Sequence, residues 1–252
     1  MAGHSKWSTI KRKKGATDAK RSKQFSRVLK EISVAIKEGK SRDPDSNPAL
    51  RNAILNAKGI NLPKENIERA IKKASGAEAE NYEEITFEGY GPYGIAFFIE
   101  CTTDNTNRTV ANIRSIFNKN NGNLGTNGSL EFLFERKGVF VIQKDAITQD
   151  LEELGLELID AGLDSIDYDN EEEIVVYSEF TEYGKMNAKL EELNIEVQST
   201  RLERIPLNTV ELPLDQAKAI LELEEKFEED DDVQSVFHNL EITDELVEAM
   251  EA

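Results

Sequence analysis

Between residues 18 and 76, apolar positions recur at three- and four-residue spacing, the period of an amphipathic helix, in three successive stretches. Phe25, Val28, Leu29, Ile32 and Ile36 predict a helix from about Asp18 to Glu38, with Thr17 or Asp18 as its cap and Gly39 at C′. Ala49, Leu50, Ala53, Ile54 and Ala57 predict a second. It starts from Asn47 as N-cap and Pro48 at N1 and stops near Gly59. The third opens at Pro63, buries Ile67, Ala70 and Ile71, and ends before Gly76. Residues 1–15 show no such period and read as an exposed arm.

The pattern changes after Gly76. Glu78 to Glu84 is polar and linker-like. Ile95–Ile99 reads as a strand, Asn107–Asn118 as a helix, Asn120–Gly128 as a Gly/Asn-rich loop and Leu130–Phe134 as a strand of period two. From Gly138 a complete unit follows. Val139–Ile142 is a strand and Ala146–Ala161 a helix. Leu163–Tyr168 and Glu173–Tyr177 form a hairpin around Asn170. Thr181–Leu193 is a helix and Ile195–Thr200 a strand. This β-α-β-β-α-β order is that of the ferredoxin-like fold. Val210–Leu212 as a strand, a helix from Pro213 to about Phe227, and Val233–Leu240 as a strand complete the chain.

Strand–helix–strand over 95–134 and again over 207–240 predicts a second β-α-β-β-α-β unit, interrupted by the first. The expected architecture is therefore multidomain α+β: an N-terminal three-helix bundle and two ferredoxin-like domains, one inserted into the other. The boundaries expected are 1–76 for the arm and bundle, 77–136 with 205–242 for the discontinuous middle domain, 137–204 for the inserted domain, and 243–252 for an acidic C-terminal tail.

Charge separates these regions sharply. Residues 1–75 hold 19 Lys and Arg against 7 Asp and Glu, whereas residues 76–252 hold 12 against 42. Lys6, Lys11, Arg12, Lys13, Lys14, Lys20, Arg21, Lys23, Arg27 and Lys30 face a single anion, Asp18, within the first 30 positions. Concentrated charge of one sign repels itself, so a polyanionic partner is the leading explanation, and nucleic acid is the commonest. Trp7, between Lys6 and Lys11, has the chemistry to stack on a base or to dock on its own bundle. The arginines could clamp phosphates in bidentate fashion while the lysines act as point charges. A solvated basic face is the plain alternative. No recognition-helix signature is visible, so affinity is expected before sequence specificity.

Other motifs carry weaker signals. Thr102–Arg108 lies between a predicted strand and helix. Asp104 or Asn105 could cap that helix, or Asp104, Asn105, Asn107 and Arg108 could form a polar contact site. Gly89–Gly94 lacks the spacing and Lys of a phosphate loop and reads as a structural turn. The single cysteine, Cys101, excludes an internal disulfide, suits a reducing cytoplasm and ends an apolar strand as a core residue. The run Glu228–Asp232 reads as a solvated acidic face, or as one that repels nucleic acid or meets a basic protein. His4 and His238 with Cys101 make no metal cluster, no membrane span is long enough, and no acid, base and nucleophile assemble. A non-enzymatic protein with no cofactor, metal, membrane or small-molecule substrate is expected.

Several segments taken together resemble the YebC/PmpR family, whose mitochondrial relatives include the translational activator of cytochrome oxidase. They are Met1–Trp7, Asp18-Ala-Lys-Arg21 with Phe25, Asn47-Pro48, Leu62–Lys73, Glu88–Pro92 and Thr103–Thr109. The likeness spans nearly the whole chain; Tyr93 departs from it, standing where the family usually has glycine. The resemblance implies three domains with the middle one discontinuous. It also implies a DNA-binding regulator of transcription, with a ribosome- or messenger-RNA-associated translation factor that relieves stalling as the alternative. Carried over by position, His4–Lys14 and Lys20–Lys30 match the presumed nucleic-acid surface.

Overall fold

A computed structural model describes residues 18–76, 81–170 and 172–251, the side chains of 18–20 and 251 excepted. The fold is mixed α+β, with two four-stranded antiparallel sheets. The described residues cluster into two compact units, one from 31–76 with 136–203, the other from 18–30 with 81–135 and 204–251.

Three helices come first among the described residues: α1 (Asp18–Gly39), α2 (Pro48–Gly59) and α3 (Lys64–Ala74). The Asn47 side chain accepts from the Leu50 amide as the helix cap, and its own amide group donates to the carbonyls of Ala35 and Ser41. That buried asparagine therefore fixes the turn between α1 and α2 as well as starting α2.

In the first unit, β4 (Phe134–Gln143), α5 (Leu151–Ile159), β5 (Leu163–Asp167), β6 (Glu173–Glu179), α6 (Tyr183–Glu192) and β7 (Val197–Pro206) follow in sequence. The sheet order is β5-β6-β4-β7, the ferredoxin-like arrangement expected for this stretch. Phe140, Ile142, Leu154, Leu158, Ile174, Val176, Met186 and Leu190 fill its core. Burying each such side chain is worth about 1.5–3 kcal/mol, which outweighs the helix-weakening Gly155 in α5. The predicted 146–161 helix is shorter because Asp150 caps it at Leu151, after a turn of 3₁₀ helix at Lys144–Ala146.

In the second unit the sheet order is β3-β1-β2-β8, formed by β1 (Glu83–Tyr90), β2 (Ala96–Thr103), β3 (Asn123–Leu124) and β8 (Val233–His238). The helices α4 (Thr106–Lys119) and α7 (Leu214–Glu228) bring Phe117 and Phe227 onto Phe97 of β2, with ring centroids 4.7–6.2 Å apart. Ala96, Phe98, Leu130 and Phe134 form a separate buried cluster. Within the segment expected as an acidic tail, Asp244–Glu251 form a last helix, α8, in which Leu246 is buried.

This sheet corrects three expectations. Residues 83–90, expected in part as linker, are its second strand. Ile85, Phe87 and Gly89 alternate with Thr86, Glu88 and Tyr90, and the leading glutamates obscured that period. Leu130–Phe134 is no separate strand: Glu131–Leu133 is a 3₁₀ turn, and Phe134 begins β4. Val210–Leu212 contributes only an isolated parallel bridge, Val210 to Leu240. The second sheet therefore does not take its strands in the β-α-β-β-α-β order of 95–134 plus 207–240. Of the two strands beside β2, one is β8 and the other, β1, comes from the segment before it.

Candidate nucleic-acid interface

The cations of α1 set the geometry of the candidate surface. Lys23, Arg27 and Lys30 fall at i, i+4 and i+7, on one helical face. All three point at the C-terminal end of α7 and the acidic turn that follows it. Lys23 Nζ donates to the Glu229 carbonyl, and Arg27 Nη2 to the Glu228 carbonyl at 2.8 Å. Lys30 Nζ donates to the carbonyls of Asp231 at 2.7 Å and Thr102 at 3.1 Å, and to Asp232 Oδ1 at 3.1 Å. The physical reason lies at the helix end. The last carbonyls of α7 have no partner within the helix, and the aligned peptide dipoles make that end negative.

Asp232 is the centre of the cluster. Its Oδ2 accepts from Arg108 Nη2 at 2.6 Å, Arg108 Nε at 3.2 Å, Thr109 Oγ1 at 2.9 Å and Thr103 Oγ1 at 3.2 Å. Burial by itself raises the Asp232 pKa, but the bonds from Arg108, Thr109 and Lys30 outweigh it and hold the carboxyl below its ordinary value. Arg108 also pairs with Asp104 at 2.8 Å, and its own pKa is raised by those two carboxylates. Lys30, Tyr82, Asp104, Arg108, Asn112 and residues 229–232 line an open cavity of about 590 Å³. The Lys30 ammonium sits 5.4 Å from the Tyr82 ring centroid.

The structure thus brings together two features that the sequence keeps apart. The Asp-Asn-Thr-Asn-Arg stretch sits on the acidic run, and Asn105 is the cap of α4, accepting from the Arg108 amide at 3.1 Å. Asp104, Asn107 and Arg108 are exposed. Asp232 is the residue central to this cluster that the sequence did not single out. Nothing local distinguishes it within Glu228–Asp232, because its partners Lys30, Thr103 and Arg108 lie 202, 129 and 124 positions away. Arg21 is exposed, with its guanidinium 5.5 Å from the Phe25 ring centroid. Lys6, Trp7, Lys11, Arg12, Lys13, Lys14 and the Lys20 side chain lie outside the described residues.

The remaining motifs are structural. The Gly89–Gly94 turn closes through the Gly91 amide on the Ile95 carbonyl at 2.8 Å, and Tyr93 within it has φ 60°. Cys101 is buried, and burial, followed by the charges of Asp230 and Asp232, raises its thiol pKa well beyond the ordinary range. Among the described residues no His, Cys, Asp and Glu side chains group to hold a metal ion, and no helix is long and apolar enough to cross a membrane.

Known proteins with the same sequence pattern cover the whole of this arrangement. Residues 5–77 match the TACO1/YebC protein N-terminal domain, and residues 82–240 match the TACO1/YebC second and third domain. A "Probable transcriptional regulatory protein" of Porphyromonas gingivalis is 51% identical, covering 86% of this chain and 88% of its own. Proteins of the same description from Amoebophilus asiaticus and Syntrophus aciditrophicus are each 47% identical. They cover 95% and 100% of this chain and 98% and 100% of their own. The crystal structure of a conserved hypothetical protein from Aquifex aeolicus matches with a TM-score of 0.78 at 39% identity, covering 90% of this chain and 93% of that one.

Proposed function

Because this chain belongs to the TACO1/YebC family, we propose that it is a non-enzymatic, nucleic-acid-binding regulator of gene expression: a cytoplasmic, DNA-binding regulator of transcription that engages phosphates through its basic N-terminal segment. The observation that carries this reading is the charge partition, 19 cations against 7 anions in residues 1–75 and 12 against 42 thereafter. The description shared by its relatives as probable transcriptional regulatory proteins supports it. The binding set is Lys6, Trp7, Lys11, Arg12, Lys13, Lys14, Lys20 and Arg21, joined by Lys23, Arg27 and Lys30. Asp104, Asn105, Asn107 and Arg108 are a further contact motif. The same description of its relatives as regulatory proteins is consistent with a non-enzymatic role.

The domain reading belongs to the same proposal: 1–76 as the basic three-helix domain, 77–136 with 205–242 as the middle domain, and 137–204 inserted in it. The gap between the two family matches, at residues 77 and 82, supports the first boundary.

One observation favours a second reading, a ribosome- or RNA-associated translation factor. The strongly acidic remainder of the chain is repelled by a duplex, whereas a ribosome presents surfaces of both signs.

The test is salt-dependent binding of labelled duplex DNA and of labelled ribosomal RNA fragments. It compares the full chain with a variant in which Lys6, Lys11, Arg12, Lys13 and Lys14 are glutamine. The slope of log affinity against log salt is expected to fall by about 0.9 for each duplex phosphate the variant no longer neutralises, and by about 0.7 for each single-strand phosphate. An unchanged slope overturns the arm as the binding element. Crosslinking in cells separates the readings: promoter DNA supports the first, and one discrete ribosomal RNA locus supports the second.

A further inference from the structure

The face of α1 assigned to phosphates is already occupied. Three cations on one helical face each meet an acceptor in a segment of sequence Glu-Glu-Asp-Asp-Asp, residues 228–232. Their acceptors lie on adjoining positions of the turn: the Glu229 carbonyl for Lys23, the Glu228 carbonyl for Arg27, and the Asp231 carbonyl with the Asp232 carboxylate for Lys30. Acceptor oxygens in a segment of five acidic residues set a negative potential along a basic helix, as a nucleic-acid backbone does.

We infer that the acidic turn 228–232 is an internal competitor for nucleic acid, covering Lys23 and Arg27 until phosphates displace it. The inference rests on the nucleic-acid reading above and adds to it an interaction within the protein that sets affinity.

The three cations are not equivalent. The Lys30 and Asp232 side chains are 13% and 6% exposed, and Lys30 makes three hydrogen bonds, so this pair anchors the turn. Lys23 and Arg27 meet only backbone carbonyls at the rim. The Lys23 bond is exposed and the Arg27 bond part-buried, and neither pairs with a carboxylate, so a phosphate with counterion release can replace them. Glu229 and Asp231 are exposed, and Asp230 accepts from Asn112 at 2.8 Å. Asp230 also accepts from the Asp232 amide at 2.9 Å through its other oxygen, and the charges of all three add to the negative helix end. The turn is therefore a removable cover on a fixed post: Lys30 and Asp232 hold it in place, and Lys23 and Arg27 are the cations it withholds.

The experiment uses the full chain and the triple variant E229Q/D230N/D231N, which keeps the Asp232 carboxylate and one of the two oxygen acceptors at position 230. Two readouts are taken. The first is acetylation rate at Lys23, measured by mass spectrometry without nucleic acid. The second is affinity for duplex DNA and for ribosomal RNA fragments across a salt series. The expected result is faster labelling of Lys23, about tenfold tighter binding at low salt, and a slope steeper by about 1.8, two phosphates at about 0.9 each. K23Q/R27Q should abolish the tightening in the triple variant. The control E211Q/E245Q/E248Q removes three exposed charges elsewhere in the same unit. Equal tightening from it makes the effect general charge and overturns the inference. Tightening that survives K23Q/R27Q, or native binding with no tightening in the triple variant, also overturns it while leaving the nucleic-acid reading intact. Failure of every variant to bind either nucleic acid overturns both.

Discussion

Arg108 and Asp232 meet through a single carboxylate oxygen: Oδ2 of Asp232 accepts from Nη2 at 2.6 Å and from Nε at 3.2 Å. The same side chain holds Lys30 through its other oxygen, so one carboxylate joins the start of α4 to α1. Replacing Asp232 by asparagine keeps the shape and removes the charge, leaving Lys30 partly buried without its counterion. Breaking a buried pair in this way costs about 3 kcal/mol, to be read as a lower urea midpoint at pH 7.

The pH dependence of that cost has a definite sign. The Asp232 pKa is lowered in the folded state, with the bonds from Arg108, Thr109 and Lys30 overcoming burial. Its contribution is present above the unfolded value, about 3.9, and is lost as pH falls through the depressed folded value. The stability gap between the native chain and Asp232→Asn should therefore narrow on going from pH 7 to below pH 3. A gap that stays constant would mean that the carboxylate charge contributes nothing.

Tyr93 has φ 60° and is 53% exposed, in the turn joining β1 to β2. A side chain in this left-handed region costs about 1–2 kcal/mol, of which the flexibility of glycine in the unfolded chain offsets about 0.5–1. Tyr93→Gly should raise the melting temperature by about 2 °C, while Tyr93→Ala, which keeps Cβ, should not. Equal melting temperatures for the two variants would sink the strain argument.

Tyr183 is held by hydrogen bonds on two sides: its hydroxyl lies 2.7 Å from Thr200 Oγ1 and accepts from Asn52 Nδ2 at 3.3 Å. Burial pushes its pKa up to about 12. Tyr183→Phe leaves Thr200 and Asn52 short of a partner and should cost about 1–2 kcal/mol. Because the folded pKa is raised, the contribution is full below the unfolded value, about 10, and is lost as pH rises through the folded one. In an ultraviolet titration of the six tyrosines, one should ionise near pH 12 in the native chain and vanish in the variant. Ionisation of all tyrosines near pH 10 would contradict the buried pairing.

The helices and the sheet of residues 134–206 were legible because their signals are local. Caps such as Asn47 and Asn105 and the apolar period of α1, α2 and α4 sit within a few residues of what they control. In the second sheet β2 and β8 were legible but the order was not, because it depends on partners distant in sequence. Glu83 and Glu84 look like linker until Thr103 and Thr102 pair with them. Glu88 looks like a surface residue, yet its carboxylate is buried and accepts from the amides of Gly128 and Leu130. At the candidate site the charge was readable but its engagement was not. The sequence shows Lys23, Arg27 and Lys30 as a basic stripe, and only the fold shows that residues 228–232 lie against it.

Two glycines in the first unit give opposite expectations for the same substitution. Gly59 ends α2, and a Cβ there would lie 2.2 Å from the Gln198 carbonyl oxygen on β7. That atom is backbone in a paired strand and cannot move aside alone, so the helix must shift. The Asn56 bond to the Thr200 amide at 3.1 Å and the Asn52 bonds to α6 shift with it. Gly59→Ala should destabilise by about 1–3 kcal/mol. Gly155 sits in the middle of α5, and the nearest atom to a Cβ there is Ile166 Cδ1 at 3.9 Å, an ordinary van der Waals distance. Gly155→Ala adds helix propensity and should stabilise by about 0.8–1 kcal/mol. Urea unfolding of both variants measures the contrast directly. Stabilisation by both would mean that α2 does not pack on β7 at that distance.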